Sequence, residues 1–260
     1  MPPRRLYKYQ AVTARTLENL KLRTLWFSAP SCFNDPFDCA LQVAHADLSE
    51  ADLDRALAYV RSHAPLAPSL EAQLTTSGRP SSTFRELMVR AVKDAFEQRR
   101  QVNLHERGVA CFSAKKDDIL MWAHYADGHR GFCLEFDMSG EPFSRAREVV
   151  YRADVPSINP LDVLEPGPKP DLVEAMMLTK SESWRYEAEW RVFHLEAGKA
   201  YTYAPALLTA VYLGTSMPEG QRDVVAHLLL GAPTHLYHMQ PAADAFTVMA
   251  QPVTYTPFQY

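Results

Sequence analysis

The chain has 260 residues, of which 47% are hydrophobic and 22% are charged, a composition typical of globular proteins. This length is sufficient for one large domain or two small ones with a sizeable core. The formal net charge of −4 and the pI near 6.1 argue against a general binder of nucleic-acid backbones, although they leave room for a local basic groove.

Cysteine usage and hydropathy indicate a cellular compartment. The four cysteines form no Cys-x-x-Cys pair, so no structural zinc site is predicted. Cys111 and Cys133 lie in apolar, strand-like runs and are interpreted as buried free thiols. No apolar run follows Arg4 and Arg5, and none reaches membrane-spanning length, so neither a secretory signal nor membrane association is expected. A reduced, cytoplasmic location is therefore predicted.

The N-terminal region predicts two short strands around a helix, followed by an irregular loop. In chain order these elements are Leu6–Tyr9, Thr16–Lys21, Thr24–Ser28 and the loop Ala29–Cys39. Lys8 lies between two tyrosines in the first strand, and the simplest interpretation is an exposed lysine on an edge strand.

Two amphipathic helices are predicted next, opened by the capping signals Ser49-Glu50-Ala51-Asp52 and Thr83-Phe84-Arg85-Glu86. The stretch Pro65–Ser82 between them predicts a flexible loop. We interpret this pair as a helical insertion, at about residues 46–106, in a single α+β domain that spans residues 1–260.

The second half of the chain is rich in predicted strands. They are Val109–Ser113, a half-buried Phe132–Phe136, Glu148–Arg152, Trp190–Leu195, Thr209–Leu213, His235–Met239 and Phe246–Tyr255. Helices are predicted from a cap at Asp117 or Asp118 through Tyr125, at Leu172–Thr179 and at Glu219–Leu230, with a proline-rich loop at Pro156–Pro170. Because strands and helices do not alternate regularly, we expect an α+β fold with a twisted, mainly antiparallel β core.

The segment Trp184-Arg185-Tyr186-Glu187-Ala188-Glu189-Trp190-Arg191 carries two carboxylates between aromatic and cationic residues. If the backbone is extended, Glu187 and Glu189 point to the same side, where a ligand or the arginines would have to pair them. The alternative interpretation is a surface salt bridge at the start of a strand, which contributes little to stability.

Two further clusters are ambiguous from sequence alone. Asn34-Asp35-Pro36 is a turn builder, yet its position between phenylalanines also suits the rim of a ligand site. Trp122 and Tyr125 share a helical face, a spacing more typical of core than of a cofactor pocket. His124 and His129 are poorly spaced for joint ligation, so no metal site is predicted at these histidines. The chain contains neither a Gly-rich phosphate loop nor a Gly-x-Ser-x-Gly motif.

Together these motifs resemble a bacterial family catalogued as domain of unknown function 2971, whose name implies no activity. The resemblance extends over nearly the whole chain and is weakest in the helical pair. Its motifs are Leu6-Tyr7-Lys8-Tyr9, Leu25-Trp26-Phe27-Ser28, Phe33-Asn34-Asp35-Pro36-Phe37-Asp38, Cys111-Phe112-Ser113, Met121-Trp122-Ala123-His124-Tyr125 with Gly131, Lys180, Trp184–Arg191 and Val211-Tyr212-Leu213-Gly214.

A more distant resemblance is to the ADP-ribosyltransferase superfamily. That superfamily has an Arg or His at the end of an early strand, a Ser or Tyr on a middle strand or the following helix, and a Glu that opens a later strand. Lys8 or Tyr9 would take the first place, Ser113 or Tyr125 the second, and Glu189 the third. The chain departs from the pattern at the first place, because its predicted first strand contains no Arg or His.

This second resemblance implies a split sheet and cleavage of the nicotinamide–ribose bond of NAD, which builds positive charge on the ribose. Glu189 would stabilise that charge, and Glu187 would orient or activate the acceptor. Ser113 would bond the ribose or position Glu189, so the implied catalytic residues are Glu189, Glu187, Ser113 and Tyr125. The implied NAD contacts are Lys8 at the phosphates, Tyr125 or Trp122 on the nicotinamide, and Tyr9, Asn34, His124 and Arg191.

Such a protein would be a toxin or a phage-defence effector that modifies a protein or nucleic-acid target. Two alternatives stay open. One is a metal-dependent nuclease or phosphoesterase with Asp35, Asp38, Glu187 and Glu189 as oxygen ligands. The other is a non-catalytic nucleotide-sensing or protein-interaction module, in which the aromatic residues form a ligand cage or only core.

Overall fold

The computed structural model describes residues 3–39, 48–63, 66–155 and 176–255. The helices of these ranges are α1 (Ala14–Leu22), α2 (Glu50–His63), α3 (Pro68–Leu74), α4 (Ser82–His105), α5 (Ile119–Tyr125) and α6 (Glu219–Leu228). The strands are β1 (Arg5–Gln10), β2 (Thr24–Phe27), β3 (Thr75–Thr76), β4 (Arg79–Pro80), β5 (Gly108–Ser113), β6 (Phe132–Asp137), β7 (Arg147–Glu148), β8 (Val150–Arg152), β9 (Thr179–Ser181), β10 (Glu189–His194), β11 (Lys199–Thr202), β12 (Leu208–Leu213), β13 (His235–Pro241) and β14 (Val248–Pro252). None of the described helices is long and apolar enough to cross a membrane.

Eight strands form one sheet in the order β14-β13-β12-β6-β1-β5-β10-β7. β12 and β13 run parallel on either side of α6 in sequence, and the other neighbouring strands are antiparallel. Helices are combined with a large, mainly antiparallel sheet, which confirms the predicted α+β class.

Helices cover both faces of this sheet. On the first face, Leu6 and Phe112 pack in one apolar cluster with Leu20 of α1 and Val225 of α6. On the second face, Trp122 of α5 packs against β1 and β12 in another cluster. The prediction that Phe132–Phe136 would be half-buried is therefore wrong, because β6 lies inside the sheet with apolar layers on both sides and is buried almost throughout.

The sheet is split between β1 and β5. β1 forms six register pairs with β6 but only one with β5, between Tyr7 and Ser113. Beyond that pair β5 turns to Ser28, which bridges Val109. The prediction of an edge strand for Lys8 is wrong, because β1 is internal and the Lys8 ammonium donates to the Cys111 carbonyl at 3.0 Å across the split.

The region between the two predicted helices is ordered rather than a flexible loop in its described part. α3 begins with Pro68 in its first turn, where the missing N–H leaves no hydrogen bond unmade. β3 and β4 then pair as a hairpin. Ser77 and Gly78 both have positive φ, as a two-residue hairpin turn requires. Amino-acid composition alone predicted neither α3 nor the hairpin of β3 and β4.

Helices α2, α3 and α4 gather Leu53, Leu57 and Phe84 into a separate apolar cluster. Ser49 and Asp52 cap α2 reciprocally, as predicted. α4 is capped by Ser81, two residues before the predicted signal. The description of this segment as an insertion into a single domain stays a prediction.

Other boundaries differ in detail. The predicted strand Glu148–Arg152 is divided into β7, which pairs with β10, and β8, which pairs with β9. The sequence did not predict β11. The predicted loop Pro156–Pro170 and the first half of the predicted helix Leu172–Thr179 fall outside the described residues. Residues 176–178 are helical and Thr179 already begins β9.

Candidate active site

A cleft of about 370 Å³ opens at the split, beside α5. Among the predicted catalytic and binding residues, Lys8, Ser113, Tyr125, Glu187 and Glu189 all line it. Its volume lies within the range of pockets that bind small molecules.

Strand register places the central residues of the cleft in one row. Tyr7 of β1 is opposite Ser113 of β5, and Ser113 is opposite Glu189 of β10. Because directly opposed residues of neighbouring strands share a face, these three side chains leave the sheet on the same side. Lys8 leaves from the other side, and its ammonium donates to the Cys111 carbonyl across the split.

The backbone that carries the two glutamates is not extended as the sequence analysis supposed. Glu187 ends a 3-10 helix (Glu182–Glu187), and Ala188 has a left-handed φ of 45°. The Ala188 N–H donates to the Arg185 carbonyl, and the Ala188 carbonyl accepts from Ala114 of the neighbouring loop. The two carboxylates nevertheless converge, because both bond to the Lys180 ammonium of β9.

Lys180 and Arg191 form a buried ion network with three carboxylates. The Arg191 guanidinium holds Glu189 through Nε–Oε1 at 2.7 Å and Nη2–Oε2 at 2.9 Å, and its Nη2 also lies 2.8 Å from Asp38 Oδ1. Lys180 Nζ lies 3.0 Å from Glu189 Oε2 and 3.4 Å from Asp38 Oδ2, and it also donates to Glu187. The interpretation as a surface salt bridge is therefore wrong, since all five side chains are buried.

Charge balance makes the two glutamates unequal. Burial alone would raise the pKa of Glu189, but the charges and hydrogen bonds of Arg191 and Lys180 outweigh it and lower this pKa to about 2. Burial raises the pKa of Glu187, and repulsion from Glu189 raises it further. Attraction to Lys180 lowers this pKa but does not outweigh the other two effects. With all groups ionised, the three carboxylates exceed the two cations by one negative charge. The surroundings therefore stabilise the ionised form of Glu187 less than that of Glu189.

Tyr125 links Glu187 to the opening of the cleft. Its hydroxyl donates to Glu187 Oε1, and the Asn34 amide lies 3.5 Å from the same hydroxyl. His124 Nδ1 is 2.9 Å from the Tyr186 hydroxyl, at the outer end of α5. Tyr9, Asn34 and His124 all line the cleft, as their prediction as contact residues requires.

Ser113 and Lys8 have internal partners. The Ser113 hydroxyl donates to the Glu187 carbonyl at 2.6 Å and accepts from the Lys115 N–H at 3.0 Å, so it fixes the backbone that carries Glu187. Burial lowers the pKa of Lys8. Its ammonium lies 5.4 Å from the Phe112 ring centroid, on the first face of the sheet.

Two predicted NAD contacts lie elsewhere. Trp122 is 1% exposed, stacks edge-on against Tyr9 and donates to the Lys116 carbonyl, so it is a core residue behind the cleft. Arg191 is fully buried beneath Glu189 and is not among the cleft-lining residues.

The sequence analysis missed the ionic partners. In the sequence, Lys180 stands out only as a motif residue, and Asp38 only as a motif residue and a possible metal ligand. The available signal was the apolar run Met176-Met177-Leu178 shortly before Lys180. A lysine that closely follows such an apolar run is buried only when it is paired, as with a carboxylate. Within the described residues, no group of three or more His, Cys, Asp or Glu side chains is arranged to hold a metal.

Comparison with known proteins shows that part of the site lies in a sequence segment matched by a family model. Residues 121–192 match the model of a family described as "Protein of unknown function (DUF2971)". This segment contains Tyr125, Lys180 and both glutamates, and it supports the resemblance drawn from the motifs. No curated protein and no solved structure matches the chain.

Proposed function

We propose that this protein is an ADP-ribosyltransferase-like enzyme that consumes NAD by cleaving its nicotinamide–ribose bond. The observation that carries the proposal is the row Tyr7, Ser113 and Glu189 across three adjacent strands at a split in the sheet, with Glu187 beside it in the same cleft. Carboxylates at such a position stabilise the cationic ribose that forms as the bond breaks.

The contacts favour different roles for the two glutamates from those that the resemblance implied. Both oxygens of Glu189 are bonded to Arg191 and Lys180, so we assign to Glu189 the role of a fixed anion that anchors the cations. Glu187, bonded to Tyr125 and Lys180, becomes the carboxylate that faces the ribose. Tyr125 positions it.

The step balances without a metal or a redox partner. The C1′–N bond breaks, its electron pair leaves with nicotinamide, and the pyridinium ring becomes neutral. The ribosyl cation is then attacked by a hydroxyl, an amine or water, which loses a proton. Glu187 stabilises the cation electrostatically. We propose that the acceptor is a protein or nucleic-acid target in the cytoplasm and that the protein acts as a toxin or defence effector.

A nucleotide-sensing module is the second candidate, and the closed ion network favours it. A buried site whose carboxylates are already bonded is preorganised for binding and need not react. The nuclease alternative has less support, because Asp38 and Glu189 already hold Arg191 and Lys180 where a cation would bind.

Binding and turnover measured together separate these candidates. We expect NAD to raise the Tm of the purified protein and to be consumed with release of nicotinamide. Stabilisation by NAD without turnover would favour the sensing module. Absence of NAD consumption would contradict the enzyme proposal. Consumption at the wild-type rate by Glu187→Gln, in a variant with an unaltered circular dichroism spectrum, would contradict the role assigned to Glu187.

A further inference from the structure

A second cavity of about 200 Å³ lies on the first face of the sheet, between α1, β2 and β6. Leu20, Leu25 and Phe136 form its apolar floor. Arg15 and Trp26 stand at its rim, where Arg15 is exposed and Trp26 is partly exposed. We call it the α1 chamber.

The α1 chamber and the cleft meet at the split. Both are lined by Lys8, Tyr9 and Ser28. Since β1 and β5 are paired at one position only, the sheet does not seal the two spaces from each other along its full width. Lys8 stands in the shared wall, where its ammonium contacts the Cys111 carbonyl at 3.0 Å. An anionic group that passes through the split would meet this lysine.

The rim of the α1 chamber has the chemistry of a site for a flat, polar ring. The Arg15 guanidinium lies 4.6 Å from the centre of the Trp26 ring system. Aromatic and guanidinium planes stack on nucleobases, and this recognition tolerates different bases. Asn19 and Thr24, which bond each other at 2.9 Å, add an amide and a hydroxyl for the edge of such a ring.

We propose that the α1 chamber binds the second nucleoside monophosphate of a dinucleotide, stacked at Trp26 and Arg15, with the linking phosphates at Lys8. The inference rests on the proposed function, because the first nucleotide would occupy the cleft at Glu187. It makes the substrate an intact dinucleotide, which the two spaces accommodate from opposite faces of the sheet.

The test is calorimetric titration with AMP and, separately, with nicotinamide mononucleotide. Arg15→Ala and Trp26→Leu should weaken AMP binding roughly 10-fold or more, because each removes part of the stacked Arg15–Trp26 pair on which the base would lie. Neither variant should change binding of nicotinamide mononucleotide. Lys21→Ala is the matched control, since Lys21 is an exposed cation on the same helix that does not line the chamber. The wild-type protein should bind both ligands at once.

The outcomes distinguish this inference from the proposed function. Three results would overturn the proposal that the α1 chamber binds the second nucleotide. They are absence of AMP binding, equal AMP affinity in wild type and Arg15→Ala, and competition between AMP and nicotinamide mononucleotide for one site. Absence of nicotinamide mononucleotide binding together with absence of NAD turnover would instead contradict the proposed function, and AMP binding that depends on Arg15 would then still support the chamber.

Discussion

Arg191 holds both carboxylate oxygens of Glu189 from a position two residues further along the same strand. Because β10 is extended, the two side chains leave the same face of the sheet, and the guanidinium fork matches the carboxylate. The pair is buried, and it connects Asp38 in the loop after β2 to the sheet. It is therefore the structural base of the cleft.

Removal of Arg191 should unfold or severely destabilise the protein. Arg191→Met leaves Asp38 and Glu189 buried with only Lys180 between them, a change that costs about 3–5 kcal/mol in other buried ion pairs. Urea unfolding followed by circular dichroism measures the loss. Arg185→Met is the control, because Arg185 pairs with Glu182 on the surface and its removal should leave the midpoint unchanged. Equal urea midpoints for Arg191→Met and Arg185→Met would contradict the stabilising role of the buried ion network.

Stability should fall in acid through Glu189. Its folded pKa of about 2 lies below its ordinary value of 4.5, so the ionised form is favoured by folding. This contribution is complete above pH 4.5 and is lost as the pH falls towards 2. At neutral pH it is on the order of 3 kcal/mol. Glu187 acts in the opposite direction, because its pKa is raised by folding.

Comparison of wild type with Glu189→Gln isolates the Glu189 contribution. The free energy of unfolding should be higher for wild type at pH 7, and the difference should shrink by pH 3. Urea titrations at both pH values provide the measurement. A difference that does not depend on pH would show that Glu189 is not held as an anion.

Tyr125→Phe should shift the pH dependence of activity. The Tyr125 hydrogen bond helps to keep Glu187 ionised, so its loss raises the pKa of Glu187 further. The acidic limb of the kcat profile should move to higher pH, with kcat at neutral pH reduced roughly 10-fold. Tyr186→Phe removes a hydroxyl at the opening that bonds His124 instead, and it should leave the limb in place. Coincident profiles for wild type and Tyr125→Phe would contradict the positioning role.

Gly214→Ala should destabilise the turn that follows β12. A Cβ there would lie 2.1 Å from the His129 carbonyl oxygen, a backbone atom that cannot move aside alone. We expect a loss of about 1–3 kcal/mol in urea unfolding. Gly220→Ala, at an open position near the start of α6, should instead gain up to about 1 kcal/mol. A Gly214→Ala variant with the same free energy of unfolding as the wild type would contradict the close approach of Gly214 to the His129 carbonyl.

The sequence predicted elements whose signals are local. Alternation of apolar residues identified β6, and capping residues identified α2 and α5, since these patterns need only neighbouring residues. The burial of Lys8 could not be predicted in the same way. It depends on β5 and β6, which lie more than a hundred residues away in the chain.

The candidate site shows the same division. The pairing of Glu187 and Glu189 could be anticipated from their spacing, but the reason first offered, an extended backbone, was wrong. Their convergence depends on Lys180, and their unequal pKa values depend on Arg191 and on burial. Each of these is a tertiary effect with no local pattern.

Release of nicotinamide from NAD by the wild type and two matched variants tests the central claim most directly. Chromatography should detect release by the wild type and by Glu182→Gln, since Glu182 is an exposed residue at the other end of the same 3-10 helix. Glu187→Gln, which keeps the size of the side chain, should release nicotinamide roughly 100-fold more slowly, because the charge opposite the ribosyl cation is gone. A wild-type protein that releases none, or a Glu187→Gln variant as fast as wild type, would contradict the account.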